Sequence, residues 1–305
     1  MACLRERDTL VHFPFDSFDH TVVRFLREAA GDPAVERMSL ALYRTTADSP
    51  ILETLRIAAA SGKTVVALVE LKARFDESRN IVAARQLREA GVQVVYGVSG
   101  LKLHSKILQI LRRDHDGLRR YSYIGSGNFH PATARLYTDV GLFTADPEIG
   151  AEIAAVIDGV TAGTPHPSGP RLLVSPRDML PRLLERIDRA IRSAQAGHPA
   201  RIRAKLNGLD DLEVIEALYR ASAAGVTIWL SIRGICRLRP GVPGLSERIS
   251  VVSLLGEFLE HSRIIEIDSD GDINYLIGSA DWRERNLRRR VEVMTPVTDG
   301  AAQAR

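Results

Sequence analysis

Cysteine is nearly absent from these 305 residues: Cys3 and Cys236 stand far apart, with no CxxC neighbour. That count argues against a disulfide framework and against a cysteine zinc site. Long apolar runs are also missing. No stretch approaches the roughly 18 consecutive apolar residues of a membrane span, so none is expected. The opening MACLRERD lacks the apolar core of a secretory signal, and a cytoplasmic location is the expectation. Lysine is scarce, standing only at Lys63, Lys72, Lys102, Lys106 and Lys205, while arginine supplies the remaining cations of a chain with net charge +3. Arginine's planar fork suits bidentate contacts to phosphate oxygens. A GC-rich genome produces the same bias, and composition alone does not choose between the two. The balance of 45% apolar and 26% charged residues is that of an ordinary globular protein, long enough for one large domain or two average ones.

The chain is written twice. Residues 40–71 read LALYRTTADSPILETLRIAAASGKTVVALVEL, and residues 203–234 read RAKLNGLDDLEVIEALYRASAAGVTIWLSIRG. Each has an apolar strand, a polar turn, an amphipathic helix, a glycine and a β-branched strand, which is a βαβ unit and predicts parallel strands. Ser49 and Pro50 suit the N-cap and first position of a helix, and Gly62 and Gly225 suit its C-terminal end. Gly62 pairs with Gly225 at an offset of 163, His104 with His261 at 157, and Asn128 with Asp281 and Asp139 with Glu292 at 153. A slowly drifting offset marks one duplicated unit with small deletions. The run TAGTPHPSGPR over 161–171 reads as a linker between helices at about 147–160 and 177–196. Two similar α/β domains are expected, 1–165 and 166–305, with mixed sheets flanked by helices and packed about a pseudo-twofold axis.

Each half carries a histidine and a cation two residues later: His104-Ser105-Lys106 and His261-Ser262-Arg263. On a strand, residues two apart share a face, so each pair sets an imidazole beside a positive charge. A small-residue turn with a polar end follows in each half, Gly125-Ser126-Gly127-Asn128 and Gly278-Ser279-Ala280-Asp281, and then a carboxylate, Asp139 or Glu292. This layout resembles the phospholipase D superfamily signature, H-x-K followed by G-S-x-N, in two copies. The resemblance implies two tandem phospholipase D-like domains whose histidines meet at the interface between them. One attacks phosphorus and the other serves as general acid and base, work that imidazole performs near neutral pH. The phosphodiesterases of that superfamily also need an Asp about five residues after the lysine. Here the stretch is Ile107-Leu108-Gln109-Ile110-Leu111, with no acid, which lowers the phosphodiesterase alternative.

Longer runs narrow the branch. FPFDSFDHTVVRFLREAAGDP, LYRTTADSPI, VELKARFDESRNI, GLKLHSK, YIGSGNFHPATARLYTDVGL, IRGICRLRPGVPGLSERI, FLEHSRI and GSADWRERNLRRRVEV together resemble the histidine-autophosphorylating polyphosphate kinases, from about residue 8 to 297. The resemblance implies an enzyme, an ATP:polyphosphate phosphotransferase. It would move the γ-phosphoryl of ATP reversibly through a phosphohistidine to inorganic polyphosphate, with Mg²⁺ present. His104 in GLKLHSK matches the phosphohistidine, and His261 in FLEHSRI the second active-site histidine. Arg44 in LYRT and Arg74 in ARFDE match positions assigned to magnesium and phosphate. A guanidinium cannot ligate Mg²⁺, so both are expected to act through phosphate oxygens. Tyr137 and Arg233 match nucleotide-contacting positions, while Lys106, Arg263 and Asn128 follow from the local motif. ATP, ADP and polyphosphate are the implied partners, nucleic acid is not, and the family's habit leaves a homodimer open.

Departures from the family pattern bear on the nucleotide side. Family members carry domains ahead of FPFDSF that help hold the base, and a helical extension after RRVEV. Ser39 stands where a lysine is usual, and His130 replaces the second Asn of the turn. A degenerate chain that binds polyphosphate without turnover is therefore the alternative. Retention of Arg44, Arg74, His104, Tyr137, Arg233 and His261 together favours activity. Simpler roles stand beside these: strand-end ion pairs for Arg44 and Arg74, a half-buried aromatic for Tyr137, and surface positions for His12, His20, His115, His166 and His198. The run RERNLRRR over 283–290 is either a solvated face or the lining of a polyanion channel.

Overall fold

The computed structural model describes residues 1–43, 49–70, 77–164 and 169–305. The expectations placed on Arg44, Arg74 and His166, and the 165/166 boundary, lie outside the described residues. The strands in chain order are β1 (Thr9–Phe13), β2 (Val35–Leu42), β3 (Thr64–Val69), β4 (Gln93–Val95), β5 (Lys102–Leu103), β6 (Ile107–Asp114), β7 (Gly117–Gly125), β8 (Tyr137–Thr144), β9 (Leu173–Ser175), β10 (Ala200–Leu206), β11 (Thr227–Ile232), β12 (Ile249–Val252), β13 (Leu259–Glu260), β14 (Ile264–Ser269), β15 (Asp272–Gly278) and β16 (Arg290–Pro296). The helices are α1 (Arg24–Gly31), α2 (Pro50–Ala60), α3 (Glu77–Glu89), α4 (Pro131–Ala134), α5 (Pro147–Thr161), α6 (Met179–Gln195), α7 (Leu212–Ala223), α8 (Glu284–Arg288) and α9 (Gly300–Gln303). No helix among the described residues is long and apolar enough to cross a membrane.

Two mixed sheets repeat one another. The first runs β1-β8-β7-β6-β2-β3-β4 and the second β12-β11-β10-β14-β15-β16-β5. In each, the βαβ unit supplies parallel strands (β2 with β3, β10 with β11), and the next long strand returns antiparallel (β6 on β2, β14 on β10). The predicted helix signals act as read. Ser49 Oγ accepts from Ile51 N at 3.3 Å at the start of α2, and Asp211 does the same for Val214 N at 3.2 Å in α7. Both helices end at a glycine in the left-handed region, Gly62 at φ +83° and Gly225 at φ +103°. A Cβ would strain that conformation.

Alternation along β3 divides the first half into two layers. Val65, Ala67 and Val69 join Leu40, Ile51 and Leu55 on one side. Val66 and Leu68 turn to the other, where they meet α5. Asp146 caps α5 by accepting from Glu148 N and Ile149 N. Its apolar residues Ile149, Ile153, Val156, Ile157 and Val160 belong to one buried cluster with Val66 and Leu68 of the first sheet and Val291 and Val293 of the second. One helix thus joins the halves through a common core. A smaller cluster, Val140 and Leu142 against Ile277 and Val297, joins them again.

The junction has a second component. β5 leaves the first half to pair in parallel with β16, and β13 leaves the second half to pair in parallel with β8. This corrects one expectation: His104-Ser105-Lys106 and His261-Ser262-Arg263 do not lie within strands. Each triplet is the link where the chain passes from one sheet to the other, between β5 and β6 or between β13 and β14. Extended backbone persists there, because His104 N and Ser105 N donate to Val291 O at 3.0 and 2.9 Å, and His261 N to Thr138 O at 3.2 Å.

Ile153 is fully buried at this junction. Ile153→Ala should cost about 2–5 kcal/mol of unfolding free energy in urea, within a single transition. Two separated transitions, with only one displaced, would mean that the halves unfold independently.

Candidate active site

Both histidines sit at the seam between the sheets, and each is held by a carboxylate from the other half. His104 Nδ1 lies 2.9 Å from both oxygens of Glu292 on β16. His261 Nδ1 lies 2.8 Å from Asp139 Oδ1 on β8. Strand crossing causes this exchange: β5 delivers His104 to β16, and β13 delivers His261 to β8.

The G-S turns set the carboxylates. Ser126 Oγ donates to Asp139 Oδ1 at 2.6 Å and accepts from Val140 N at 3.0 Å. Ser279 Oγ accepts from Val293 N at 3.1 Å beside Glu292, and Asn286 Nδ2 donates to Glu292 Oε1 at 2.6 Å. Gly127 leaves room for Asp139, since a Cβ there would stand 2.6 Å from Asp139 Oδ2. The carboxylates therefore act as acceptors. Each histidine carries its proton on Nδ1, which leaves the Nε2 lone pair for chemistry.

Electrostatics agree with neutral rings. Burial, then Lys106, Arg290 and Arg263, hold the His104 pKa well below its ordinary value. Burial also lowers that of His261, with Arg263 and Lys106 adding to it and Asp139 opposing. Burial alone would raise Asp139, but His261, Ser126 and Arg263 more than offset it and keep it below the usual carboxylate range. Glu292 is pushed upward by burial, against the pull of Lys106 and Arg290.

The cations and polar groups gather around the same point. Lys106, 1% exposed, donates from Nζ to His104 O and stands 5.2 Å from the centre of the Tyr43 ring. Burial lowers its pKa strongly, with Glu292 opposing. Arg263 donates from Nη1 to His261 O at 2.8 Å and to Ser126 O at 3.2 Å, and its other nitrogens face Asp281. A cavity of about 610 Å³ opens here. Of the expected residues, His104, His261, Asn128, Tyr137, Arg233 and Arg263 line it, while Lys106 lies behind its wall. Tyr137 stacks obliquely on His261, 5.2 Å between ring centres, and Tyr43 meets His104 edge-on at 4.8 Å.

Several lining residues went unmarked in the sequence. Asn207 Oδ1 accepts from Arg233 Nη2 at 2.7 Å and Nε at 3.0 Å, while its Nδ2 reaches His261 O at 3.2 Å. Tyr43, Asn207 and Arg233 directly follow β2, β10 and β11, at the carboxyl ends of parallel strands, where open α/β sheets place ligands. That position was the available signal. Arg285, Arg289 and Arg290 add charge to the wall, so part of the 283–290 run faces the cavity. Among the described residues no group of three His, Cys, Asp or Glu side chains is able to hold a metal ion. With cations forming its walls, the described site does not fit a protein-held Mg²⁺.

Comparison with known proteins fits this geometry. Residues 1–165 match the family Polyphosphate kinase C-terminal domain 1, and residues 172–305 match Polyphosphate kinase C-terminal domain 2. The chain belongs to the polyphosphate kinase family. The polyphosphate kinase of Thermosynechococcus vestitus is 52% identical over 302 residues, covering 99% of this chain and 41% of that protein. The chain thus spans about two fifths of the length of that relative. The crystal structure of polyphosphate kinase from Porphyromonas gingivalis superposes with a TM-score of 0.90 at 39% identity, over 100% of this chain and 50% of that one. Yeast tyrosyl-DNA phosphodiesterase, at TM-score 0.56 and 8% identity over 95% of this chain and 89% of that one, shares the fold alone. The tandem phospholipase D-like architecture expected from the motifs is the one observed.

The neutral, buried histidines have a measurable consequence. In the unfolded chain they take up protons below about pH 6.5, whereas in the folded chain they resist, so the unfolded state binds more protons there. Stability must therefore fall as pH drops below that value, by up to about 1.4 kcal/mol per pH unit for each histidine. Urea titrations from pH 7.5 to 5.5 should show this slope, flattened in His104→Gln and in His261→Gln. A slope in both variants as steep as the parent's would contradict neutral burial.

Proposed function

We propose that these two domains, 1–165 and 166–305, move the γ-phosphoryl of ATP through a phosphohistidine at His104 to inorganic polyphosphate, and back. The observation that carries this reading is the pair of neutral imidazoles in one cation-walled cavity. Each has Nδ1 tied to a carboxylate, and His104 Nε2 has no hydrogen-bond partner among the described residues.

His104 Nε2 attacks the γ-phosphorus. The bond from phosphorus to the bridging oxygen breaks, and its electron pair leaves on ADP. The Nδ1 proton stays toward Glu292, which stabilises the ring as positive charge develops. Lys106 and Arg263 offset charge on the phosphoryl oxygens. His261 serves as general acid and base at the oxygens that leave and attack. The terminal phosphate of a polyphosphate chain then takes the group from Nε2, regenerating the free imidazole. Arg285, Arg289 and Arg290 favour a polyanionic acceptor at the cavity wall. Tyr137, Arg233 and Asn128 are assigned to the nucleotide and its phosphates, and Arg44 and Arg74 to phosphate oxygens on the family resemblance. Mg²⁺ bound to ATP arrives with the substrate and screens its phosphates. A cytoplasmic site of action follows from the need for ATP, while a homodimer rests on the resemblance alone.

Incubating the chain with γ-labelled ATP and Mg²⁺ should produce a base-stable, acid-labile label on the protein, lost in His104→Ala. Absence of label in the parent chain, or its persistence in that variant, would sink the proposal. ATP-independent, salt-sensitive polyphosphate binding would then mark a binding module instead.

A further inference from the structure

The two halves of the site differ in charge. On the His261 side the buried cation meets a buried carboxylate: Arg263 Nη2 lies 3.3 Å from Asp281 Oδ2, and Nε 3.3 Å from Oδ1. Asp281 is fixed in turn by the Asn207 backbone N–H at 2.7 Å and Asn207 Nδ2 at 3.1 Å. On the His104 side the same place in the repeat is Asn128, which is neutral. The cation there is Lys106, which feels the charge of Glu292 but has no carboxylate within ion-pair distance among the described residues; its Nζ donates to His104 O. The Nε2 atoms differ too. Arg263 Nη1 stands 3.2 Å from Nε2 of His261, whereas Nε2 of His104 faces no such donor among the described residues.

We propose that Asp281 decides which of the two histidines takes the phosphoryl group. This deepens the phosphohistidine reading and rests on it. A phosphoryl group brings negative charge into a poorly solvated site, and it is stabilised most by a cation that is not already neutralised. Asp281 neutralises Arg263 and holds it against His261 Nε2. Lys106 has no carboxylate within ion-pair distance among the described residues and is left to meet the substrate's charge, so the group moves to His104. Asp281 acts through Arg263 and is a positioning residue. If the acid is moved to position 128, Arg263 becomes the unneutralised cation. His261 Nε2 then attacks the γ-phosphorus, the bond to the bridging oxygen breaks with its pair leaving on ADP, and the Nδ1 proton stays toward Asp139.

The double variant Asn128→Asp with Asp281→Asn keeps the total charge and nearly the shape of the site. After incubation with γ-labelled ATP and Mg²⁺, the labelled peptide is identified by mass spectrometry under basic conditions. The parent chain should carry label at His104. The exchanged variant should carry it at His261, with His104 labelling reduced at least tenfold, and Asp281→Glu, which keeps the charge, should still place its label on His104 and not on His261. An exchanged variant with native circular dichroism that still labels His104 at the parent rate, or labels neither histidine, overturns the proposal. If that variant does not fold, Asn128→Asp alone decides: His104 labelling must fall at least tenfold, and an unchanged rate overturns the idea. No label in the parent chain defeats the phosphohistidine reading itself, and this assignment with it.

Discussion

A carboxylate from each half holds the histidine of the other, and the rest of the site depends on that exchange. Glu292 reaches His104 and Asp139 reaches His261, each within 2.9 Å of Nδ1. Neither half contains a complete dyad. The contact requires the halves to dock in one register, and that register is set by the short parallel pairings of β5 with β16 and β13 with β8. The α5 core shared by both sheets makes the docking part of the fold. Small residues follow from the same demand: Gly127 is bare because Asp139 occupies the space a Cβ would need.

Burial of so much charge is costly unless each group is paired, and the pairing here is uneven. Asp139 and Asp281 have enough donors to stay ionised despite burial. Lys106 has a carbonyl oxygen and an aromatic face, and burial weakens its hold on its proton. Glu292 opposes that loss, but no carboxylate stands within ion-pair distance of the lysine among the described residues. Arg233, half-buried, is likewise lowered by burial and then by Arg263, with its hydrogen bonds directed to the neutral amide oxygen of Asn207. Cationic side chains on and behind the cavity wall are thus only partly offset by acids among the described residues, which is what the proposed anionic substrate would meet.

Much of this was legible in the chain itself. The drifting repeat located both sheets, and the cap at Ser49 and the glycines at 62 and 225 located the ends of the helices that cover them. The paired positions 139 and 292 stood out as carboxylates, but spacing within a half suggests a partner in that half, and the actual partner is in the other. Crossing strands explain the difference. β5 and β13 are two residues each, too short for any alternation to show, so the histidine triplets read as ordinary strand. Asn207 lies in none of the quoted runs, and Tyr43 stands in LYRT with no role read for it; their place after a parallel strand marks both.

In the proposed reaction the exchanged carboxylates fix which ring nitrogen is phosphorylated, and that is directly measurable. Phosphorylated chain, prepared with ATP and held at basic pH, can be examined by ³¹P and ¹⁵N magnetic resonance to distinguish the two phosphohistidine isomers. With Nδ1 of His104 tied to Glu292, the phosphoryl group must be on Nε2. A phosphoryl group on Nδ1, which the crossed carboxylate is held to block, would contradict the central claim.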